Sequence, residues 1–235
     1  MVLVGCTQLE AYDCGGRADC PRDGAVGAVD GLASVIDAPA LDATVDASPP
    51  RCGTTAALGP RFEPSEWTDS IAGAGSTAQI TDGVARVRCE VGDAYAGLIS
   101  DETHVFADSS LTVELELTVE PTDADVVAGF TVDVPAGEVG FEIQGTSLTA
   151  VVGDTEGASV PYAADAHRFL RVTNDRSQYV FETSPDGAAW RRFDALGAPD
   201  SVGAGAVAVY AYTYVDATVT ARFLALNPGT PGACL

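Results

Sequence analysis

Between residues 110 and 120 apolar and polar side chains alternate without a break, Leu111, Val113, Leu115, Leu117 and Val119 against Thr112, Glu114, Glu116, Thr118 and Glu120. Period two puts the first set on one face of an extended strand, toward a core, and the second on the other, toward water. The same alternation, or short apolar runs bounded by turn residues, predicts strands over 78–81, 83–91, 95–100, 126–134, 138–144, 147–153, 167–174, 178–184, 205–215 and 218–226. No stretch of useful length repeats with helical periodicity. Strands that follow one another at about 8–12-residue intervals, with no helices between them, predict an all-β fold: an antiparallel two-sheet sandwich.

The turn chemistry agrees. Asp82-Gly83 suits a tight hairpin between 78–81 and 83–91. Asn174-Asp175-Arg176 makes the reversal between 167–174 and 178–184. In Ser184-Pro185-Asp186-Gly187 the proline presets the first corner, the aspartate caps its own backbone and the glycine accepts a left-handed conformation. Trp190 follows, placed to fold back on the sheet.

Composition changes the picture at the amino terminus. Residues 24–51 alternate Asp, Ala, Val and Pro with no aromatic side chain, too little apolar surface to offset ordering entropy, so a disordered stalk with a reach of roughly 30 Å is expected there. The folded domain is then 52–235. Cys14 and Cys20 flank a short loop with no nearby histidine, which favours a local disulfide over zinc and implies an oxidising compartment. Acidic residues number 34 against 12 basic ones, all of them Arg, for a formal charge of −22. That field excludes nucleic acid as a partner, because phosphate binding needs clustered Arg and Lys. No stretch is long enough to span a bilayer as an apolar helix.

Two resemblances add to this. Leu3-Val4-Gly5-Cys6 resembles a bacterial lipobox, which implies lipidation at Cys6, residues 1–23 as a truncated signal with the Cys loop, and attachment to the cell envelope, outer surface or periplasmic, with the lipid as the only membrane contact. Five residues before Cys6 are too few for a working signal, so the start is called late or the chain is a fragment. The strand ending in Glu182-Thr183-Ser184-Pro185-Asp186-Gly187 with Trp190 beyond it, and the opening segment from Arg61 to Thr68, resemble the concanavalin A-like lectin/glucanase (laminin-G-like) jelly rolls of bacterial secreted proteins. Such a fold implies a monomeric binding head and does not fix a ligand. Setting aside Cys6 and the Cys14/Cys20 pair leaves Cys52, Cys89 and Cys234. Cys89 shares an apolar face with Ala85, Val87 and Val91, so a Cys52–Cys234 bond is expected to tie the ends of the domain, worth up to ~5 kcal/mol in the loop-entropy model, with Cys52–Cys89 as the alternative.

Glucanases of that superfamily carry E-x-D-x-E or E-x-D-x-x-E on one strand face. The nearest match singled out in this chain is Glu114-Leu115-Glu116, which lacks the third acid; retaining hydrolysis needs two carboxyls about 5 Å apart in a cleft. A solvated sheet face is the expectation and no catalytic residue is assigned, with a glycan hydrolase using Glu114/Glu116 as the alternative. Neither His104 nor His167 lies in a nucleophile motif, His167 fits a capping role, and there is no P-loop or dinucleotide fingerprint. Tyr210, Tyr212 and Tyr214 share one face of the strand 205–215, and an aromatic platform there would stack on sugar rings, although the same spacing also suits core packing. Acidic loops at Asp93, Asp101, Glu102, Asp154 and Glu156 offer oxygens to Ca²⁺ without EF-hand spacing. The sequence therefore predicts a non-catalytic surface-tethered binding or adhesion module for a glycan or a surface protein, carbohydrate first, with a purely structural module as the remaining alternative.

Overall fold

The computed structural model describes residues 58, 60–90, 92–107, 109–120, 122, 124–135, 137–198 and 204–227. The readings at Cys6, Cys14, Cys20, Cys52 and Cys234, and the stalk over 24–51, lie outside the described residues.

A short 3-10 turn at Pro64–Glu66 precedes the strands β1 (Trp67–Ala72), β2 (Thr77–Thr81), β3 (Val84–Glu90), β4 (Ala94–Ser100), β5 (His104–Val105), β6 (Ser109–Glu120), β7 (Val126–Val134) and β8 (Gly137–Gln144). There follow β9 (Ser147–Val152), β10 (Thr155–Pro161), β11 (Phe169–Asn174), β12 (Gln178–Ser184), β13 (Arg191–Gly197), β14 (Ala204–Thr213) and β15 (Thr218–Leu226). They form two antiparallel sheets. One has eight strands, in the order β1-β4-β14-β7-β8-β9-β10 with β5 also pairing β14; the other has seven, in the order β13-β12-β11-β6-β15-β3-β2. The predicted all-β sandwich is thus the observed fold, and the predicted strands sit within a few residues of the observed ones. Four strands were not foreseen: β1, β5, β10 and β13.

The two sheets close on a single apolar layer because each strand turns its alternating apolar face inward. Leu111, Val113 and Leu115 of β6, Leu170 and Val172 of β11, and Tyr179 and Phe181 of β12 are buried from one side; Phe130 and Val132 of β7, Phe141 of β8 and Val207 and Val209 of β14 are buried from the other. Phe141 bridges the layers, its ring meeting Phe181 edge-on at 5.3 Å and Phe193 at 5.5 Å, geometries that aromatic quadrupoles favour. Phe62 and Trp67 are buried with ring centroids 5.0 Å apart, sealing the first strand onto the core. Cys89 is fully buried and free, as its place in the alternation predicts, with its thiol donating to the Ala211 carbonyl at 3.2 Å.

Side-chain oxygens organise the turns. Asp82 (φ 54°) and Gly83 (φ 77°) are both left-handed, as a two-residue hairpin between right-twisted strands requires. Slight desolvation raises the Asp175 pKa, but hydrogen bonds from Ser177 and Gln178 outweigh it and hold the carboxylate down at about 2, locking the β11–β12 reversal. Asp186 accepts from Ala188 N at 2.9 Å and Ala189 N at 2.8 Å, and Ser184 Oγ accepts from Gly187 N at 3.0 Å, as expected for that turn. Trp190 does fold back, onto the outer side of the seven-stranded sheet, where the Arg171 guanidinium lies 4.1 Å over its ring.

Candidate functional site

Cross-strand partners in an antiparallel sheet share a face, so the register identifies what lies on the outer side of the eight-stranded sheet. One row runs Ser70, Gly97, Tyr210, Gly129, Glu142, Thr149 and Ser159. The row on one side of it holds Tyr95, Tyr212, Val127 and Gln144. On the other side lie Ala208, Thr131 and Gly140, and beyond them Ala206, Asp133 and Glu138.

Glycine shapes the centre of this face. Tyr210 is flanked by Gly97 and Gly129, and the absence of side chains there lets rings lie along the sheet. A Cβ on Gly97 would come 2.5 Å from the Tyr95 hydroxyl, and one on Gly129 would stand 3.3 Å from the Tyr210 hydroxyl and 2.4 Å from the Phe141 carbonyl. Tyr210 therefore reaches over Gly129 and donates from Oη to Glu142 Oε1 at 2.6 Å. Its ring stacks between Tyr95 (6.4 Å, 22° between planes) and Tyr212 (6.3 Å, 13°), and Tyr214 meets Tyr212 edge-on at 5.2 Å. The result is a ladder of four rings graded in exposure: Tyr210 is 6% exposed, Tyr95 and Tyr212 are half-buried, and Tyr214 is 70% exposed.

Tyr210, Tyr212 and Tyr214 do adjoin, but not as three equivalent rings of one strand. Strand β14 ends at Thr213, so Tyr214 belongs to the following turn rather than to the strand. Tyr210 is a buried support, and the surface open to a ligand comes from Tyr212, Tyr214 and Tyr95, the last of which sequence reasoning did not connect with them. Burial first, and then the negative charge of Glu142, pushes the Tyr210 and Tyr212 phenols far above their usual values, and burial and Glu138 push Tyr95 up. All three remain O–H donors across the physiological range.

Glu114 and Glu116, the acids singled out in the sequence, lie on the opposite layer, on the outer face of the seven-stranded sheet. Glu114 is paired with Arg168 at 2.6 Å and Glu116 with Arg222 at 2.5 Å. The structure does not bring them to the tyrosines. Acids that do share the tyrosine face include Glu138 and Glu142 of β8, four residues apart with Gly140 between them, Asp133, paired to Glu138 across the strands, and Glu156 of β10, joined to Gly140 through Val151. Gly140 has no room for a side chain, since a Cβ would fall 2.0 Å from the Phe130 carbonyl oxygen. The signal that could have found this strand is the spacing Glu138-x-Gly140-x-Glu142, in which the middle position is empty.

The remaining candidates are dispersed. Asp101 and Glu102 line a small cleft with Glu66 and the buried His104, while Glu156 of β10 falls on the tyrosine face, in the row of Thr131, Gly140 and Val151. Among the described residues no three His, Cys, Asp or Glu side chains gather as a cation site. His167 accepts a hydrogen bond at Nδ1 from Ala163 N at 3.1 Å and lies tilted against the Tyr162 ring, and burial lowers its pKa; this is the capping role expected of it.

No family model matches the sequence, and no curated protein matches it. Solved structures do match by fold. The apo Crh5 transglycosylase superposes with a TM-score of 0.52 over 79% of this chain and 90% of its own, at 14% identity. The exoplasmic/lumenal domain of VIP36 in its Ca²⁺/Man3GlcNAc-bound form superposes with a TM-score of 0.50 over 74% of this chain and 90% of its own, at 13% identity. The two antiparallel sheets of this chain share a jelly-roll sandwich fold with these structures. At such identities the likeness establishes the jelly-roll scaffold and leaves its chemistry to the residues of the tyrosine face.

Proposed function

We propose that this jelly roll is a non-catalytic carbohydrate-binding module whose ligand lies on the outer face of the eight-stranded sheet. The observation that carries this reading is the ring ladder from Tyr95 through Tyr210 and Tyr212 to Tyr214, buried at its base and open at its end. Rings held rigid by their neighbours offer flat apolar area to the C–H face of a sugar at little entropic cost. Around them Glu142, Gln144, Thr149 and Ser159 supply hydrogen-bonding groups on the same face, the mix of apolar floor and convergent polar groups that sugar sites use. Fold neighbours named as a transglycosylase and as a Man3GlcNAc-bound domain support a glycan ligand.

The test is a glycan array with the full chain, followed by titration of the best ligand. Tyr212→Ala is expected to weaken binding by about tenfold or more, the scale of one lost stacking contact, while Glu114→Gln is expected to change nothing. Silence across the array, or binding untouched by Tyr212→Ala, overturns the reading. Turnover of a bound glycan that disappears in Glu138→Gln would overturn its non-catalytic part.

A further inference from the structure

Among the described residues the acids of the tyrosine face have no basic partner. The chain contains no Lys, and no Arg lies on any strand of the eight-stranded sheet; the described arginines fall at Arg61, on or beside β3, β11, β13 and β15, and in the β11–β12 turn. On the seven-stranded sheet Glu114, Glu116 and Glu182 each have an arginine, whereas Glu142 has only the Tyr210 hydroxyl and no ion pair forms at Glu138 or Asp133 among the described residues. Between the row of Tyr210 and Glu142 and the row of Asp133 and Glu138 lies Thr131, 1% exposed, whose hydroxyl has no hydrogen-bond partner. An orphaned buried hydroxyl costs free energy unless something arrives to satisfy it. Its cross-strand neighbour Gly140 carries no side chain, and the same row continues through Val151 to a further carboxylate, Glu156.

We infer that this face selects a cationic amino sugar, a glycan carrying free ammonium groups, with an ammonium seated over Thr131 and Gly140 between Glu138 and Glu142 and the sugar ring against Tyr212. The inference rests on the carbohydrate reading above and adds the charge of the ligand to it. An ammonium has three donors and needs acceptors only; two carboxylates and a threonine oxygen supply three. The tyrosine faces attract the same charge through their quadrupoles. Burial, then the charges of Glu142 and Asp133, raise the Glu138 pKa, so the carboxylate repels its neighbours until a cation joins them. An N-acetylated sugar offers one amide N–H and no charge, and a uronic or sialic acid is repelled.

The full chain is titrated calorimetrically with a β-1,4-glucosamine hexamer and with the N-acetylglucosamine hexamer of equal length, at low and at physiological salt. The free-amine hexamer is expected to bind at least about tenfold tighter, the scale of one charge-assisted hydrogen bond, and the difference should shrink as salt rises. Glu138→Gln should remove most of the preference, and so should Thr131→Val, a near-isosteric change that keeps the charge count and stands in if the first variant fails to fold. Glu116→Gln makes the same charge change on the other sheet and should leave the preference intact. Loss of preference as large in Glu116→Gln as in Glu138→Gln would mean that only the overall field of a −22 chain is felt, and overturns the inference. So does equal affinity for the two hexamers, or spermine binding as tightly as the amine hexamer with no response to Tyr212→Ala. Tyr212-dependent binding of neutral glycans without an amine preference sinks the inference and leaves the carbohydrate reading standing; no Tyr212-dependent binding of any glycan sinks both.

Discussion

On the outer face of the seven-stranded sheet Arg168 meets Glu114, Arg222 meets Glu116, and Arg171 meets Glu182 while lying over the Trp190 ring. On the outer face of the eight-stranded sheet Glu138, Glu142 and Asp133 stand near four tyrosines with no arginine on any strand of that sheet. The two surfaces are built by the same chain in the same sandwich, yet one satisfies its charges internally and the other leaves them for something else. A self-neutralised surface gains modest stability and has little left to offer a partner. An acidic aromatic surface forgoes that stability, and keeps donors, acceptors and ring faces free.

The strongest way to break the contrast is at Arg171. Its ion pair with Glu182 is 2.7 Å long with both side chains mostly buried (12% and 16% exposed), so Arg171→Ala strands a carboxylate and removes a cation from a ring. The expected cost is about 3 kcal/mol, which for a domain of this size lowers Tm by roughly 6–12 °C. Glycan affinity of the folded protein should be unchanged. Calorimetric melting and titration check this together, and a loss of affinity in the folded variant would mean that the two faces are not separate.

Gly129→Ala should come next in size and should move both quantities. A methyl there meets the Phe141 carbonyl oxygen at 2.4 Å and comes 3.3 Å from the Tyr210 hydroxyl, so β7 and β8 must part beneath the ring and the hydroxyl must give way by a few tenths of an ångström against Glu142. Overpacking of this kind costs about 1–3 kcal/mol. Displacing Tyr210 also unseats Tyr212, so affinity should fall with stability, unlike the Arg171 variant. If melting drops while affinity holds, Tyr210 is not the support that the ladder needs.

The sandwich was legible in the sequence because period two is a local signal wherever one strand face is buried, as in β6 or β12. It failed at β1, β10 and β13, and for one reason: all three are edge strands, with neither face well covered and therefore no alternation to see. Strand β5, only two residues long, gives no pattern at all. The site was half legible. Tyr210 and Tyr212 could be paired by spacing within one strand, and Tyr214 was assigned to that strand because the alternation runs past its end at Thr213. Tyr95 lies 115 positions before Tyr210, and only the β4–β14 register joins them. Glu114 and Glu116 stand out in the sequence because they come nearest to the glucanase acid spacing, but that spacing says nothing about which sheet the strand joins or where its arginines will come from. Glu138 and Glu142 were passed over because a glycine separates them, and that glycine is imposed by the close approach of β7 and β8.

The smallest expected effect sharpens the contrast most, because its sign is opposite to the others. The folded-state pKa of Glu138 is raised, by burial first and then by Glu142 and Asp133, so the folded protein holds this proton more tightly than the unfolded chain does. The associated stability is present below the ordinary carboxylate range and is lost as pH rises through the raised value. At neutral pH Glu138 is an ionised group among like charges. Glu138→Gln should then raise Tm slightly at pH 7, solvent screening keeping the effect small, with the gain fading toward pH 4, where the wild-type carboxyl is protonated as well. On the other sheet Glu116→Gln removes a partner from Arg222 and should leave Tm level or lower it slightly at the same pH. A residue whose removal stabilises the fold while weakening binding of a cation is held there against the interest of the fold. If Glu138→Gln instead lowers Tm at pH 7, the carboxylate already has a cationic partner in the folded chain, and the eight-stranded face is as self-satisfied as the seven-stranded one.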